Sequence, residues 1–148
     1  DLRALVEENT APYRPVAHIK YWPRIIDSRG KIHRVKTETR EGELLGEGIA
    51  PGVVQGKANV LESPYDKPLE KGEILVCRAS EPSWTPIFIN AAAVVMEIGG
   101  PLQHGGIIAR EYGLPCVSSI DQATKLIKDG DLLEVDGSNG IVKIVEVA

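Results

Sequence analysis

The sequence predicts an α/β fold with a parallel core and a second, smaller sheet beside it. Three observations carry this. Short apolar runs at Ile74 to Arg78, Ala93 to Glu97 and Cys116 to Ser118 alternate with helical segments as far as Ile127. That is the order of a parallel sheet with crossover helices. β-rich stretches flank this unit, at 45–61 and 132–147, and supply the second sheet. Residues 1–43 are broken by Pro12, Pro15 and Pro23 and read as an irregular N-terminal arm, leaving 44–148 as the domain proper.

At 148 residues the chain is one domain with an arm. Hydrophobic residues make up 43% and aromatics only 5%, so the expected core is Ile, Val, Leu and Ala. The net charge of −4 carries no electrostatic footprint for nucleic acid. The charge is uneven, with +2 over residues 1–45 and −6 over 46–148. No apolar run approaches the roughly 20 residues of a membrane span. No signal peptide is visible, so a cytoplasmic location and no membrane partner are expected. Cys77 and Cys116 have no metal-like spacing and read as small buried hydrophobes in a reducing compartment. The chain begins with Asp rather than Met, and a piece of a larger protein is expected.

In chain order, Leu2 to Glu8 suits a short helix. Asp27-Ser28-Arg29-Gly30 suits a turn joining Ile25-Ile26 to Lys31-Ile32-His33 as a hairpin. Thr37 to Glu43 is charged and reads as a linker, and His18 and His33 read as surface residues of the arm. Leu45 to Ile49 and Val53 to Leu61 suit strands, interrupted at Ala50-Pro51-Gly52 and by Gly56, which suggests a bulge or a close backbone approach. Lys71-Gly72-Glu73 turns into the strand from Ile74, and Ile87 to Ala91 suits a short helix after the prolines at 82 and 86. The strand from Ala93 leads straight into Gly99-Gly100. A helix then runs from His104 to about Tyr112, stopped by Gly113 and Pro115. After Cys116 to Ser118, Gln122 to Ile127 suits a helix capped by Ser119 or Asp121. Leu132 to Val135 and Ile141 to Val147 suit strands joined by the turn Asp136 to Gly140.

The chemistry concentrates at His104. It opens a helix just past a glycine pair, at the C-terminal edge of the parallel strands, where ligands bind in open α/β sheets. A helix N-terminus offers unpaired N–H groups and the positive end of the dipole, which suit an anion. A neutral imidazole there can attack phosphorus, and the same N–H groups can hold the phosphohistidine. The alternative is an ordinary polar residue at a loop–helix junction. The glycine-rich turn is neither a Walker loop nor a dinucleotide fingerprint, because no Gly-Lys-Ser/Thr follows and the Gly-x-Gly-x-x-Gly spacing fails. Its glycines remove Cβ obstruction around a bulky anion. Arg110, six residues on, can reach a phosphate or pair with Glu111 or Asp129. Ser118 and Ser119 suit strand-end and capping roles, and Asp129, Asp131 and Asp136 suit turns.

The stretch Gly99 to Val117 reads Gly-Gly-x-x-x-His-x-x-Ile-Ile-Ala-Arg-Glu-Tyr-Gly-Leu-Pro-Cys-Val. It resembles the phosphohistidine signature of phosphoenolpyruvate-utilising enzymes, among them phosphoenolpyruvate synthase, pyruvate phosphate dikinase, the phosphotransferase-system enzyme I and rifamycin phosphotransferase. The resemblance runs through Gly46 to Val60, Gly72 to Arg78 and Gly130 to Val145. In the arm, Trp22 to Gly30 looks like the segment before this domain in synthase-like and rifamycin phosphotransferase-like members, and Glu81 to Pro86 is similar to a stretch of the same branch.

The resemblance implies a swivelling β/β/α phosphohistidine domain with His104 as the phosphoryl carrier. Gln103, Gly105, Gly106 and Arg110 would hold the phosphate. A nucleotide-grasping domain would load the histidine with a phosphoryl or pyrophosphoryl group from ATP with magnesium, or phosphoenolpyruvate would load it, and an acceptor-binding domain would discharge it to pyruvate or a hydroxyl compound. No cofactor or metal is expected in this domain itself. The segment 9–43 would be the arm that permits the swing. Two positions depart from the family pattern. Leu102 and Gln103 stand where Thr and then Ser or Cys are frequent, and Gly105-Gly106 stand where Ala is common. Each glycine lowers helix propensity by roughly 1 kcal/mol. The competing expectations are a non-catalytic swivel or assembly module that has kept the fold, and a separate carrier subunit with a nucleotide-binding partner chain.

Overall fold

The computed structural model describes residues 1–19, 25–33 and 40–148. The stretch Trp22 to Arg24, residues 37–39 of the charged linker and the side chain of His33 lie outside the described residues. The chain divides into two compact units, Asp1–Thr37 and Glu38–Ala148.

In the first unit, helix α1 (Leu2–Thr10) begins at Asp1, whose carboxylate accepts the N–H of Arg3 at 3.0 Å. Pro12 and Pro15 lie in the 3₁₀ turn Ala11–Val16 that follows the helix. His18 is exposed, as expected. The hairpin is present as strands β1 (Ile25–Ile26) and β2 (Ile32–His33). Asp27 Oδ1 ties its turn by accepting from the N–H groups of Arg29 and Lys31.

The second unit holds an eight-stranded sheet. Its strands are β3 (Glu43–Leu45), β4 (Glu47–Ala50), β5 (Val53–Leu61), β6 (Ile74–Cys77), β7 (Ala93–Met96), β8 (Cys116–Ser118), β9 (Leu132–Asp136) and β10 (Ile141–Glu146). They run in the order β3-β10-β9-β5-β6-β7-β8-β4. The parallel core is β5-β6-β7-β8. The second sheet is not detached from it, because β5 serves both. Val53 to Lys57 pair antiparallel with β9, and Ala58 to Leu61 pair parallel with β6.

Burial separates the layers. Side chains of the central strands alternate, so each strand feeds two cores. Leu75, Cys77, Val94 and Met96 pack with Trp84, Phe88 and Ala109 on the helical side. Ile74, Val76, Ala93 and Val95 pack with Leu133, Val135 and Val142 on the other. Helices on the first side are α2 (Thr85–Phe88) and α3 (His104–Tyr112), while α4 (Ala123–Leu126) lies on the second through Ala123. The result is the expected β/β/α arrangement. Each fully buried Val, Leu, Ile or Phe contributes about 1.5–3 kcal/mol relative to exposure.

Three local expectations are corrected. The single strand expected over 45–49 is two, β3 and β4, at opposite ends of the strand order. Gly46 divides them. Its N–H bonds to Gly140 O at 2.8 Å, and a Cβ there would stand 2.2 Å from Ser118 O, so only glycine lets the chain cross from one layer to the other. The helix expected at 87–91 is α2, which starts at Thr85. Pro86 sits in its first turn, where the missing N–H costs nothing. Helix α4 is capped by neither Ser119 nor Asp121. Instead Glu97 Oε1, at the end of β7, accepts from Thr124 N at 3.0 Å and Thr124 Oγ1 at 2.5 Å. By contrast Gly56 leaves β5 unbroken, and its missing Cβ makes room for Gly72 O and Ile74.

Candidate active site

Strand β7 ends at Met96, and Ile98 N bonds to Arg78 O at 2.8 Å, which holds the following loop against the end of β6. The chain then turns through Gly99-Gly100, where Gln103 N bonds to Gly100 O at 3.1 Å. Gln103 is the extended N-cap of α3, and its side chain makes no capping bond. Ile107 N is the donor to Gln103 O at 3.0 Å, so the N–H groups of His104, Gly105 and Gly106 have no partner within the helix. Gly113 closes the helix in the left-handed conformation at φ 67°, as its position suggested.

His104 is half-buried at the first helical position. Both ring nitrogens are engaged. Nδ1 lies 3.1 Å from Ser80 Oγ, and Nε2 lies 3.0 Å from Thr85 Oγ1. The ring meets Phe88 edge to face, with centroids 6.0 Å apart at 84°. Phe88 is fully buried, so it gives the imidazole a rigid wall.

The structure gathers Gln103, Gly105 and Gly106 at the same end of α3 as His104. Gln103 is exposed. Gly105 and Gly106 are buried, and packing accounts for the absence of Cβ at both. A Cβ at 105 would stand 2.5 Å from Ser80 Oγ and 2.6 Å from Met96 Sδ. One at 106 would stand 2.5 Å from Gly100 O and 2.8 Å from Ile49 Cγ2. Their N–H groups remain the parts able to meet an anion. Arg110 is exposed and donates from a guanidinium nitrogen to Pro101 O, which clasps the Gly-rich turn to the helix. Among the described residues Arg110 forms an ion pair with neither Glu111 nor Asp129, and Asp129 instead accepts from Val60 N and pairs with Lys67 at 2.6 Å.

Sequence reasoning missed four residues around the imidazole. Ser80, Thr85, Phe88 and Met96 come from the segment 80–96, at chain separations of 24 residues for Ser80 and 19 for Thr85. Thr85 lay inside a stretch singled out by its resemblance but carried no assigned role. No spacing rule links these positions to a histidine on another element.

Asp131 accepts from Lys128 N and Ala148 N, and Asp136 accepts from Ser138 N and Asn139 N. Ser118 is fully buried in β8. Cys77 and Cys116 are free and buried. Burial pushes the Cys116 thiol up to about 12 against the lowering pull of Arg110. Burial, then the neighbouring Cys116 and Glu97, raises Cys77. Neither thiol is a ready nucleophile. Among the described residues no three His, Cys, Asp or Glu side chains group as a metal site, and no helix is long and apolar enough to cross a membrane.

Residues 69–140, from the turn before β6 to the end of the β9–β10 turn, match the family described as PEP-utilising enzyme, mobile domain. This stretch is a PEP-utilising enzyme mobile domain. It contains His104 together with Ser80, Thr85 and Phe88. The chain is 43% identical over 126 residues to the rifampicin phosphotransferase of Bacillus cereus, covering 83% of this chain and 14% of that protein. It is 42% identical over 125 residues to the rifampicin phosphotransferase of Bacillus subtilis, covering 82% of this chain and 14% of that protein. The mobile domain and its flanks thus span about a seventh of the length of these relatives. The fold recurs in aconitase X of Thermococcus kodakaraensis at a TM-score of 0.55 and 19% identity, over 70% of this chain and 98% of that one.

Proposed function

We propose that this mobile domain is the phosphoryl carrier of a multidomain phosphotransferase and that His104 carries the group. One observation bears most weight. A half-buried imidazole at the first residue of α3, held at both nitrogens by hydroxyls, stands beside N–H groups that have no helical partner. In the transfer, an unprotonated ring nitrogen attacks phosphorus in line. The N–P bond forms as the P–O bond to the leaving nucleotide breaks, and the electron pair departs on that oxygen. The N–H groups of Gly105 and Gly106 hold the phosphoryl oxygens, with Gln103 and Arg110 at the rim. An acceptor oxygen then attacks the same phosphorus, and the N–P bond breaks.

ATP and magnesium are supplied by a nucleotide-grasping domain, and the acceptor, pyruvate or a hydroxyl compound, by an acceptor-binding domain. Both lie in the same protein or complex, in the cytoplasm. A nucleophile on a rigid body can visit two remote sites when the body moves as a unit. The relatives' names support a phosphotransferase, and their much greater length leaves room for such domains.

The test uses the parent protein with ATP labelled at the β or γ phosphate. An acid-labile, base-stable label on His104 is expected by mass spectrometry, lost in His104→Ala. The labelled position separates phosphoryl from pyrophosphoryl transfer. ATP binding without label on His104 would overturn the carrier role in favour of a non-catalytic swivel or assembly module.

A further inference from the structure

Of the chain's asparagines only Asn139 precedes a glycine; Asn9, Asn59 and Asn90 precede Thr10, Val60 and Ala91. Asparagine is thermolabile. The backbone nitrogen of the next residue can attack its side-chain carbonyl carbon, and a following glycine has no Cβ to obstruct that approach. Asn139 is exposed, in the turn between β9 and β10.

The turn ties both ends of that reaction to one residue. Gly140 N, the attacking nitrogen, donates to Asp136 O at 2.9 Å. Asn139 Nδ2, the leaving group, donates to Asp136 Oδ2 at 2.8 Å. Asp136 Oδ1 accepts from Asn139 N and Ser138 N, each at 3.0 Å. For the attack, Gly140 N must give up its proton and swing toward Asn139 Cγ, so its bond to Asp136 O has to break. The side-chain amide must leave Asp136 Oδ2 as well. Gly140 itself is buried at φ 70°, where a Cβ would stand 2.7 Å from Gly46 O and 2.8 Å from Gly48 N. The peptide therefore turns over only when the seam between the β layers opens.

We propose that Asn139 is a modification site, a deamidating asparagine whose reaction Asp136 holds off while the turn is closed. When the turn opens, Gly140 N loses its proton to solvent and bonds to Asn139 Cγ. The Cγ–Nδ2 bond breaks, and ammonia leaves with a proton taken from water. Water then opens the cyclic imide at either carbonyl, leaving aspartate or isoaspartate at position 139. Isoaspartate carries the backbone through its side chain and so lengthens it by a methylene. Gly140 then loses its place between Asp136 O and Gly46 N, which donates to Gly140 O at 2.8 Å. The modification thus unfastens the two β layers, whatever group His104 carries.

The experiment incubates the 148-residue chain at mildly alkaline pH and follows position 139 by peptide mass spectrometry, with fragmentation that separates isoaspartate from aspartate. Folded wild type is expected to react more slowly than the same chain in urea. Asp136→Ala and Asp136→Ser are expected to speed the folded reaction by about fivefold, the worth of one hydrogen bond. In urea, wild type and both variants are expected to react at one rate. Asp136→Ser keeps a hydroxyl for the backbone N–H groups of the turn and lacks the second oxygen that holds Asn139 Nδ2. It carries the test if the amide spectrum shows that Asp136→Ala does not fold. Wild type reacting as fast folded as in urea would overturn the proposal, as would an unchanged rate in a folded Asp136→Ser. A slower rate in that variant would overturn it too, by showing that the carboxylate promotes the reaction. Hydrogen exchange at Gly46 is expected to accelerate in the isoaspartate fraction and not in Asn139→Asp. Equal exchange in the isoaspartate fraction and wild type would overturn the effect on the layers.

Discussion

At the scale of single residues, Gly105 shows how one missing methyl group can be read in two ways. From sequence alone the glycine suggested room for an anion. In the fold, its Cα faces Ser80 Oγ and Met96 Sδ, and its N–H faces the helix end. Both obstructing atoms belong to flexible side chains rather than backbone. Gly105→Ala is therefore expected to change stability by no more than about 1 kcal/mol, because better helix propensity offsets the displaced side chains. The same substitution is expected to lower the rate of His104 labelling, because Ser80 must leave its place by the ring. Urea denaturation and the labelling assay read the two effects separately. A large loss of stability with normal labelling would show that packing alone selects the glycine. Leu102 and Gln103, the departures from the family pattern, are both exposed, and the hydrogen bonds found at the imidazole come from Ser80 and Thr85 instead.

At the scale of elements, the ends of the helices show which signals are local. Helix α3 starts and stops where its sequence says, at His104 and before Gly113, because a left-handed cap and a glycine turn act within a few residues. Helix α4 does not. Its N-cap, Gln122, is left-handed at φ 57°, and the acceptor for its first turn comes from Glu97, the residue after β7. Glu97 is 3% exposed and has further interactions within the chain. Glu97→Ala removes the acceptor of the Thr124 N–H and hydroxyl in a partly buried site. The expected cost is about 1–3 kcal/mol. It is checked by denaturant midpoints together with hydrogen exchange at Thr124, whose protection falls first. Unchanged protection there would show that another group caps the helix.

At the scale of the whole molecule, the β9–β10 turn binds the two β layers. Gly137 N bonds to Gly52 O at 2.8 Å, Gly140 O accepts from Gly46 N, and Ser138 Oγ accepts from Gly52 N. Asp136 shapes that turn, and Asn139 and Ser138 hold its carboxyl below the usual carboxylate range, the Asn139 side chain most of all. Burial raises Asp129, but Lys67 and the Val60 N–H outweigh it, and the net direction is also down. A carboxyl whose folded pKa is depressed stabilises above its unfolded pKa, and that contribution disappears as pH falls through the folded value. Stability is therefore expected to be level above the carboxylate range and to fall below it. Urea midpoints measured against pH in wild type, Asp129→Asn and Asp136→Asn check this, with a shallower acid slope expected in each variant. An unchanged slope in both would remove these carboxylates as the cause.

The sequence by itself determined the order of strands and helices, the arm, the parallel core and the placing of His104 at a helix start after a glycine pair. Those features rest on periodicity, prolines and glycines, whose effects act over a few neighbouring residues. Only the tertiary structure decided that β3 and β4 separate at Gly46, that β5 serves both β layers, and that Glu97 caps α4. It also decided the surroundings of the histidine. Ser80 and Thr85 reach His104 across 24 and 19 residues because β6, β7 and α3 pack side by side. Hydrogen bonds of that kind depend on close packing between elements, and close packing leaves no local pattern along the chain.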